Sequence, residues 1–191
     1  MHSQSQVNGV DVKQMVSTIN AINEDTPLAG FQFRASNKWV NGSNNCTTVS
    51  NFYGAGEEQR HQPPFRYEED EAPVLLGQDK GANPVEYLLT ALAGCLTTTL
   101  VLHAAAKGIE LDTVESELEG DLDVRGMLGL DESVRNGYRD IRVRFRVSSP
   151  TASEAELQQL VELAQQRSPV FDIVTHEVPV HVTLEPPQSL T

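Results

Sequence analysis

Residues 81–108 read GANPVEYLLTALAGCLTTTLVLHAAAKG, and they contain the longest uncharged run of the chain, residues 87–106. Asn83 can cap a helix, Pro84 suits its first position, and Glu86 can accept a hydrogen bond from the backbone amide of the cap. A Lys-Gly pair ends the helix, and apolar side chains lie on every face in between, so the helix must be covered on all sides. It is long enough to cross a bilayer, but alanine, threonine and glycine dilute its hydrophobicity, which favours a buried helix over a transmembrane one.

Cys95 is near the middle of this helix and is the candidate reactive residue. A buried free cysteine is either a small hydrophobic residue or a shielded nucleophile, and only its thiolate attacks electrophiles. A thiolate in an apolar helix needs a cation or hydrogen-bond donors, and the helix start lies too far away for its dipole to act on Cys95. If Cys95 is catalytic, the sequence predicts that an arginine from another element activates it.

The composition predicts one globular domain over residues 1–191. The chain has 191 residues, 39% of them hydrophobic, and a formal net charge of -13, which disfavours binding to nucleic acid or to an anionic membrane. The two cysteines, Cys46 and Cys95, form no Cys-x-x-Cys pair and have no ligand spacing with histidine, so neither a disulfide framework nor a metal site is predicted. The polar N-terminus lacks the features of a secretory signal, and a reducing cytoplasm is the expected compartment.

The first half of the chain predicts a helix followed by a β-hairpin. Apolar residues recur at helical spacing within residues 9–24, which predicts an N-terminal accessory helix outside a core over 30–184. Residues 31–36 alternate between apolar and polar, Asn41-Gly42 is a strong hairpin signal, and the chain returns as a β-strand over 47–52. The polar residues 54–64, with two glycines and two prolines, predict a loop, and residues 72–77 predict another strand.

The second half predicts two antiparallel strands, two helices and a final strand. Residues 114–124 and 141–147 alternate apolar with charged residues, as strands with one buried face do. A capping box opens a helix over 153–166, Ser168-Pro169 begins a short helical turn, and residues 178–184 predict a strand. This order of helices and strands indicates an α+β domain with antiparallel sheets.

The central helix resembles the signature of a known family. The order of Asn-Pro, apolar helix and cysteine over residues 83–100, and the later Ser168-Pro169-Val170 with Val178-Pro179-Val180, are similar to the two motifs of the OsmC/Ohr family of thiol peroxidases. The resemblance covers about residues 31–184 and implies an OsmC-like fold, in which antiparallel sheets wrap around a long buried central helix in an intertwined homodimer. The cysteines of the two chains would then lie at the subunit interface.

The resemblance also implies a reaction. A peroxidatic thiolate attacks an organic hydroperoxide, becomes a sulfenic acid and is trapped by a second thiol as a disulfide, which an external dithiol reduces. Cys95 matches the peroxidatic position, and no cofactor is implied. Glu86 is the candidate partner carboxylate, although the family glutamate directly follows the proline and Val85 takes that place here. Arg34 is the candidate activating arginine.

Two further positions depart from the family pattern. Ser168 occupies the second-motif position where the family carries a resolving cysteine, and its hydroxyl cannot form a disulfide, so its expected role is to cap the helix that follows. Cys46 falls near the position of the family's activating arginine in the first hairpin. It is the candidate resolving thiol, since a hairpin folded over Cys95 would bring the two thiols together.

Two functions stay open from the sequence. The first is a cytoplasmic homodimeric peroxidase that reduces organic hydroperoxides through Cys95 in oxidative-stress defence. The second is a non-catalytic or weakly active dimer of the same fold that binds a small hydrophobic ligand, with Cys95 in the wall of its pocket. A hydrolase built from Ser168, Asp172 and His176 is not expected, because no oxyanion-site motif accompanies them.

Overall fold

The computed structural model describes residues 6–186 and begins with a short hairpin and a helix. The hairpin consists of β1 (Gln6–Val7) and β2 (Val10–Asp11), and α1 (Val12–Glu24) follows it directly. The side chain of Asn8, in the hairpin turn, hydrogen-bonds the carbonyl of Ile109 and the amide of Leu111. The predicted N-terminal helix is therefore present, and the turn before it is fastened to a distant part of the chain.

The next four strands form one antiparallel sheet around β5. They are β3 (Gln32–Phe33), β4 (Ser36–Asn41), β5 (Asn44–Gly54) and β6 (Glu57–Glu69). β5 pairs with β3 and β4 along one edge and with β6 along the other. The hairpin predicted at Asn41-Gly42 is confirmed, and Gly42 has a φ of 57°, a left-handed conformation that suits glycine.

Two predictions for this half of the chain are wrong. The loop expected over residues 54–64 is mostly strand β6, because Ala55 and Gly56 alone turn the chain, both at positive φ. The prolines of β6 fit the sheet because the register of β5 shifts opposite them. The strand expected over residues 72–77 is a 3-10 turn, Pro73–Leu75, since amides on both sides of this turn hydrogen-bond the carboxylate of Asp70 and draw the segment into a compact loop.

The predicted central helix is α2 (Pro84–Ala106), and it begins with the predicted capping box. The side chain of Asn83 accepts a hydrogen bond from the amide of Val85 at 2.8 Å, and the carboxylate of Glu86 accepts one from the amide of Asn83 at 2.8 Å. At the other end, the amide of Ile109 donates to the carbonyl of Ala104, which closes the last turn. The helix therefore begins at the predicted cap and ends at Lys107 and Gly108, the pair that the sequence predicts as its end.

The described chain covers α2 on one side only. Leu92, Leu96 and Leu100 are buried in the hydrophobic core, whereas Ala91 and Gly94 lie on an exposed face of the helix. Thr98 and Leu102 continue this exposed face, which includes the half-buried Cys95. The sequence predicts cover on all sides, and residues 6–186 of one chain do not supply it.

The core on the covered side of α2 is built from two strands and two helices. The strands are β7 (Thr113–Asp121) and β8 (Asp140–Ser148), joined by a connection that contains the short helix α3 (Val124–Met127); the helices are α4 (Glu154–Arg167) and α5 (Pro169–Thr175). β7 and β8 pair in antiparallel register, as predicted, and their apolar side chains pack against the core. Their outer face carries arginine–carboxylate ion pairs such as Arg142–Asp121 at 2.6 Å.

The strand predicted over residues 178–184 is not formed in the described chain. This segment is irregular and its side chains are exposed, including Val180 at 80%, Val182 at 91% and Leu184 at 99%. A strand requires a neighbour that pairs with its backbone, and no strand among residues 6–186 pairs with this segment. The alternating apolar pattern is present, but a pairing partner for it is not.

Candidate active site

Cys95 lies in the middle of α2, at the border between the buried and the exposed face. Its side chain is half-buried and not disulfide-bonded, and its carbonyl accepts a hydrogen bond from the hydroxyl of Thr99 at 2.8 Å. A β-carbon added at the neighbouring Gly94 would meet no other atom within 4 Å, so this part of the helix surface is open. Within residues 6–186, no cationic side chain hydrogen-bonds the Cys95 sulfur. Residues 6–186 of one chain therefore present the thiol without a cationic hydrogen-bond donor.

Glu86 does not meet Cys95 within one chain. Its carboxylate is held in the capping box at the start of α2. Cys95 follows nine residues later, and about 100° and 1.5 Å for each residue put the two side chains on opposite sides of the helix, about 13 Å apart along its axis. The structure therefore gives Glu86 the capping role, and any contact with Cys95 would have to come from a second chain.

Arg34 is engaged at the surface of the first sheet. Its guanidinium forms two hydrogen bonds of 2.8 Å with the carboxylate of Glu58, and it also donates to the side chain of Gln32. The hydrogen bond from Arg34 lowers the pKa of Glu58, and that same bond raises the pKa of Arg34. Within the described chain, Arg34 is not brought to Cys95.

Cys46, the candidate resolving thiol, has the cation that Cys95 lacks. It lies on β5, where Lys38 of β4 and Glu68 of β6 are its backbone partners. The guanidinium of Arg66 on β6 donates a hydrogen bond to the Cys46 sulfur over 3.6 Å. Cys46 and Cys95 lie on separate elements, and the structure records both as free thiols.

Ser168 caps α5, as its position before Pro169 predicts. It is only 2% exposed, and its hydroxyl accepts a hydrogen bond from the amide of Phe171 at 3.2 Å. Asp172 and His176 pair with each other at 3.2 Å on the exposed side of the same helix. Because Ser168 points inward while these two side chains are exposed, the three do not form a catalytic triad. Among the described residues, no group of three or more potential ligands is arranged to hold a metal ion.

Three residues that fix the start of α2 escape the sequence analysis. Asp70 is buried and accepts hydrogen bonds from the hydroxyl of Ser43 and from three backbone amides; the Ser43 bond, followed by those amides, lowers the pKa of Asp70. The carboxylate of Glu71 accepts a hydrogen bond from the side chain of Asn83. An aspartate before a Pro- and Gly-rich loop is the signal that points to such a turn.

Tyr138 is the third residue, and it has no local signal. Its hydroxyl donates to the carbonyl of Val85 at 3.0 Å, and its ring lies against Gly120, where an added β-carbon would come within 2.5 Å of a ring atom. Burial, and to a lesser degree the charge of Glu86, raises the pKa of Tyr138. The contact joins the connection between β7 and β8 to the first turn of α2.

α2 also has the length and apolar composition of a membrane-spanning helix. This property is weak evidence, because the core helix of a soluble protein meets the same criteria. The buried leucines of α2 pack against residues of β7, β8 and α4, which is how a core helix packs.

The family model of OsmC-like proteins matches residues 77–183, which is more than half of the chain. The chain belongs to the OsmC family. The matched range of this OsmC-like chain contains α2 with Cys95, both strands of the β7–β8 ladder and the C-terminal helices. No curated protein sequence matches the chain significantly.

Several solved structures share the fold of this OsmC-like chain. An OsmC-like protein from Mycoplasma pneumoniae is 22% identical and has a TM-score of 0.57 over 75% of this chain and 87% of that one. An OsmC-like protein of unknown function from Vibrio cholerae is 11% identical, with a TM-score of 0.56 over 74% of this chain and 92% of that one. An organic hydroperoxide resistance protein OsmC from Legionella pneumophila is 15% identical, with a TM-score of 0.51 over 75% and 88% of the two chains. At these identities the similarity establishes the α+β fold with antiparallel sheets.

Proposed function

We propose that this OsmC-like protein is a homodimeric thiol peroxidase that reduces organic hydroperoxides at Cys95. The observation that carries the proposal is the position of Cys95, on the face of α2 that residues 6–186 of its own chain leave open and within the range that the family model matches. The motif resemblance implies that Cys95 is the peroxidatic cysteine. A solved relative in Legionella pneumophila is named an organic hydroperoxide resistance protein, which supports the same class of substrate.

A second copy of the chain is the proposed cover for the open face of α2. The exposed face carries the small residues Ala91, Gly94 and Thr98, which let another backbone approach closely. The exposed apolar residues of the segment 178–184 also need a partner, because burying each valine or leucine is favourable by about 1.5–3 kcal/mol. We therefore assign both surfaces to the dimer interface, where a residue of the second chain can supply the cation that Cys95 needs.

The reaction proceeds by transfer of one oxygen atom. The Cys95 thiolate attacks the terminal oxygen of the hydroperoxide, so that an S–O bond forms while the O–O bond breaks. The sulfur is oxidised to a sulfenic acid, and the peroxide is reduced to an alkoxide that takes up a proton and leaves as an alcohol. A second thiol then attacks the sulfenic sulfur, which releases water and forms a disulfide, and an external dithiol restores both thiols by exchange.

The second thiol is either Cys46 or the external dithiol. Ser168 cannot resolve the sulfenic acid, since a hydroxyl does not form a disulfide. Cys46 is the only other cysteine of the chain, and its contact with Arg66 places a cation beside its sulfur. Peptide mapping after peroxide treatment tests this role. A Cys46–Cys95 disulfide supports it, whereas sulfinic Cys95 beside free Cys46 contradicts it.

The alternative function is a binding module with the same fold. The absence of a cation beside Cys95 within residues 6–186 favours this alternative, in which Cys95 only lines a pocket for a small hydrophobic ligand. A cytoplasmic location, and no binding to nucleic acid or membrane, are expected for both functions from the net charge of -13 and the cysteine content.

Hydroperoxide consumption in the presence of a dithiol separates the two functions. Wild type, Cys95→Ser and Cys46→Ser are compared with the same reductant. We expect Cys95→Ser to abolish turnover, and Cys46→Ser to keep turnover if the external dithiol resolves the sulfenic acid. Equal rates for wild type and Cys95→Ser would refute the peroxidase and leave the binding module.

A further inference from the structure

A second site lies beside the first turns of α2, and none of the residues assigned above to catalysis lines it. It is a cavity of about 530 Å³, within the range of about 300–1,000 Å³ that is typical of small-molecule sites. Its walls are largely apolar and come from three elements: Leu88 of α2, Ile141 of β8, and Ile173 with Val174 of α5. Tyr138, which is held by its hydrogen bond to Val85, forms a further wall.

Two arginines border this cavity. Arg135 and Arg139 belong to the connection that leads into β8, and both line the cavity. Within residues 6–186, neither guanidinium forms an ion pair, whereas the other arginines near the β7–β8 ladder are paired with carboxylates; these are Arg125, Arg142, Arg144 and Arg146.

Three carboxylates near these two arginines are hydrogen-bonded to other arginines. Asp140 also lines the cavity, but its carboxylate binds Arg142 at 2.7 Å. Asp121 lies close enough to attract Arg139, and it too is bound to Arg142, at 2.6 Å. Asp123 is similarly close to Arg139 and is bound to Arg125 at 2.6 Å. Arg135 and Arg139 are therefore two arginines of the cavity lining that form no salt bridge within residues 6–186, and they share the lining with its apolar side chains.

We propose that this cavity binds a carboxylate with an apolar tail, with Arg135 and Arg139 holding the carboxylate and Leu88, Ile141 and Ile173 contacting the tail. The planar fork of a guanidinium matches a carboxylate through two parallel hydrogen bonds, so a pair of such groups selects an anion over a neutral head group. The apolar walls contribute in proportion to the area of the tail that they remove from water.

One lining residue of the cavity, Leu88, lies on the face of α2 that carries Cys95. Leu88 precedes Cys95 by seven residues, which is nearly two full turns, so the two side chains share a helix face about 10 Å apart. If the proposed peroxidase function holds, a ligand that contacts Leu88 lies about two helical turns from the reactive thiol. The binding itself does not depend on that function, because no cysteine lines the cavity.

Titration calorimetry with decanoate tests the proposal on the full chain. We expect saturable binding to wild type, at least about tenfold weaker binding of the uncharged 1-decanol, and at least about tenfold weaker binding of decanoate to the Arg135→Gln/Arg139→Gln variant. Arg146→Gln is the matched control, since it removes an arginine on the outer face of β8 that does not line the cavity. Cys95→Ser is expected to bind decanoate as wild type does, even if turnover is lost.

Three results would overturn the proposal: no binding of decanoate to wild type, equal binding of decanoate and 1-decanol, or binding that the double variant leaves unchanged. If circular dichroism shows that the double variant is unfolded, the single variant Arg135→Gln replaces it, because no other described side chain hydrogen-bonds Arg135. Failure of hydroperoxide turnover with intact decanoate binding would refute the peroxidase and leave this site standing.

Discussion

Val182→Asp tests whether a second chain covers the C-terminal segment. Val182 is 91% exposed in the single chain, so a polar residue there costs the isolated chain almost nothing. In an extended segment, Val182 shares a face with Val178, Val180 and Leu184. If a dimer buries this face, the Val182→Asp variant loses the burial of the valine side chain and has to bury a charge instead. The two situations predict opposite results for the same variant.

The size of the effect follows from the area that the valine loses on binding. Full burial of a valine side chain stabilises a complex by about 1.5–3 kcal/mol, and a two-fold dimer contains the residue twice, which gives about 3–6 kcal/mol. At about 1.4 kcal/mol for each factor of ten, the dissociation constant should rise about 10²- to 10⁴-fold. Burial of the aspartate charge adds to this loss, so a rise of about 10²-fold is the minimum that we expect.

Sedimentation at several protein concentrations measures the dissociation constant of each variant. Thr183→Asp is the matched control, because it introduces the same charge at the next residue, on the opposite face of an extended segment. We expect Thr183→Asp to dimerise as wild type does and Val182→Asp to dissociate. If wild type, Val182→Asp and Thr183→Asp sediment alike, the C-terminal segment is not part of a dimer interface and the reasoning fails.

The remaining predictions concern the core, the loop before α2 and the cap of α5. Leu100 is fully buried, so Leu100→Ala should lower the free energy of unfolding by about 2–5 kcal/mol in urea, against about 0.5 kcal/mol or less for Val74→Ala at an exposed site. The pKa of Asp70 is lowered from its usual 3.8, first by the Ser43 hydroxyl, so its stabilisation is present above that value and is lost as the pH falls through the folded pKa. Melting temperatures should therefore fall less between about pH 5 and pH 2 for Asp70→Asn than for wild type, and parallel curves would contradict this. Ser168→Ala should lower the free energy of unfolding by about 0.5–2 kcal/mol through loss of the cap, and Ser168→Thr should retain most of it, which chemical denaturation measures.

Local signals predicted the parts of the fold that depend on neighbouring residues. Capping residues at its start and a Lys-Gly pair at its end define α2, and the Asn41-Gly42 dipeptide defines the hairpin between β4 and β5. The alternation of charged and apolar residues predicts β7 and β8, and the two strands supply each other's backbone hydrogen-bond partners. In each case the signal and the structure that it specifies lie within a few residues of one another.

The errors have a common physical origin in contacts between distant residues. Residues 54–64 looked like a loop because their polar composition resembles one, yet pairing with β5 makes most of them a strand. Residues 72–77 contain enough apolar residues for a strand. However, the carboxylate of Asp70 accepts hydrogen bonds from the backbone amides of Gln78 and Lys80, which follow the segment, and these bonds fold it into a loop. Residues 178–184 have the pattern of a strand and lack a pairing partner within residues 6–186.

The candidate site shows the same limit more sharply, because a reactive thiol is defined by its surroundings. The sequence identifies Cys95 from its place in a helix but cannot identify the cation, since a guanidinium reaches a sulfur from another element or another chain. The sequence predicts Arg34 as the activating arginine, but the structure pairs Arg34 with Glu58. Arg66 contacts the other thiol, Cys46. If the open face of α2 is the seam of a dimer, the group that activates Cys95 belongs to the second chain, and a Cys95 thiol pKa that falls on dimerisation would establish this. A thiol pKa unchanged between the wild-type dimer and a dissociated Val182→Asp monomer would place the activating group within one chain or remove it altogether.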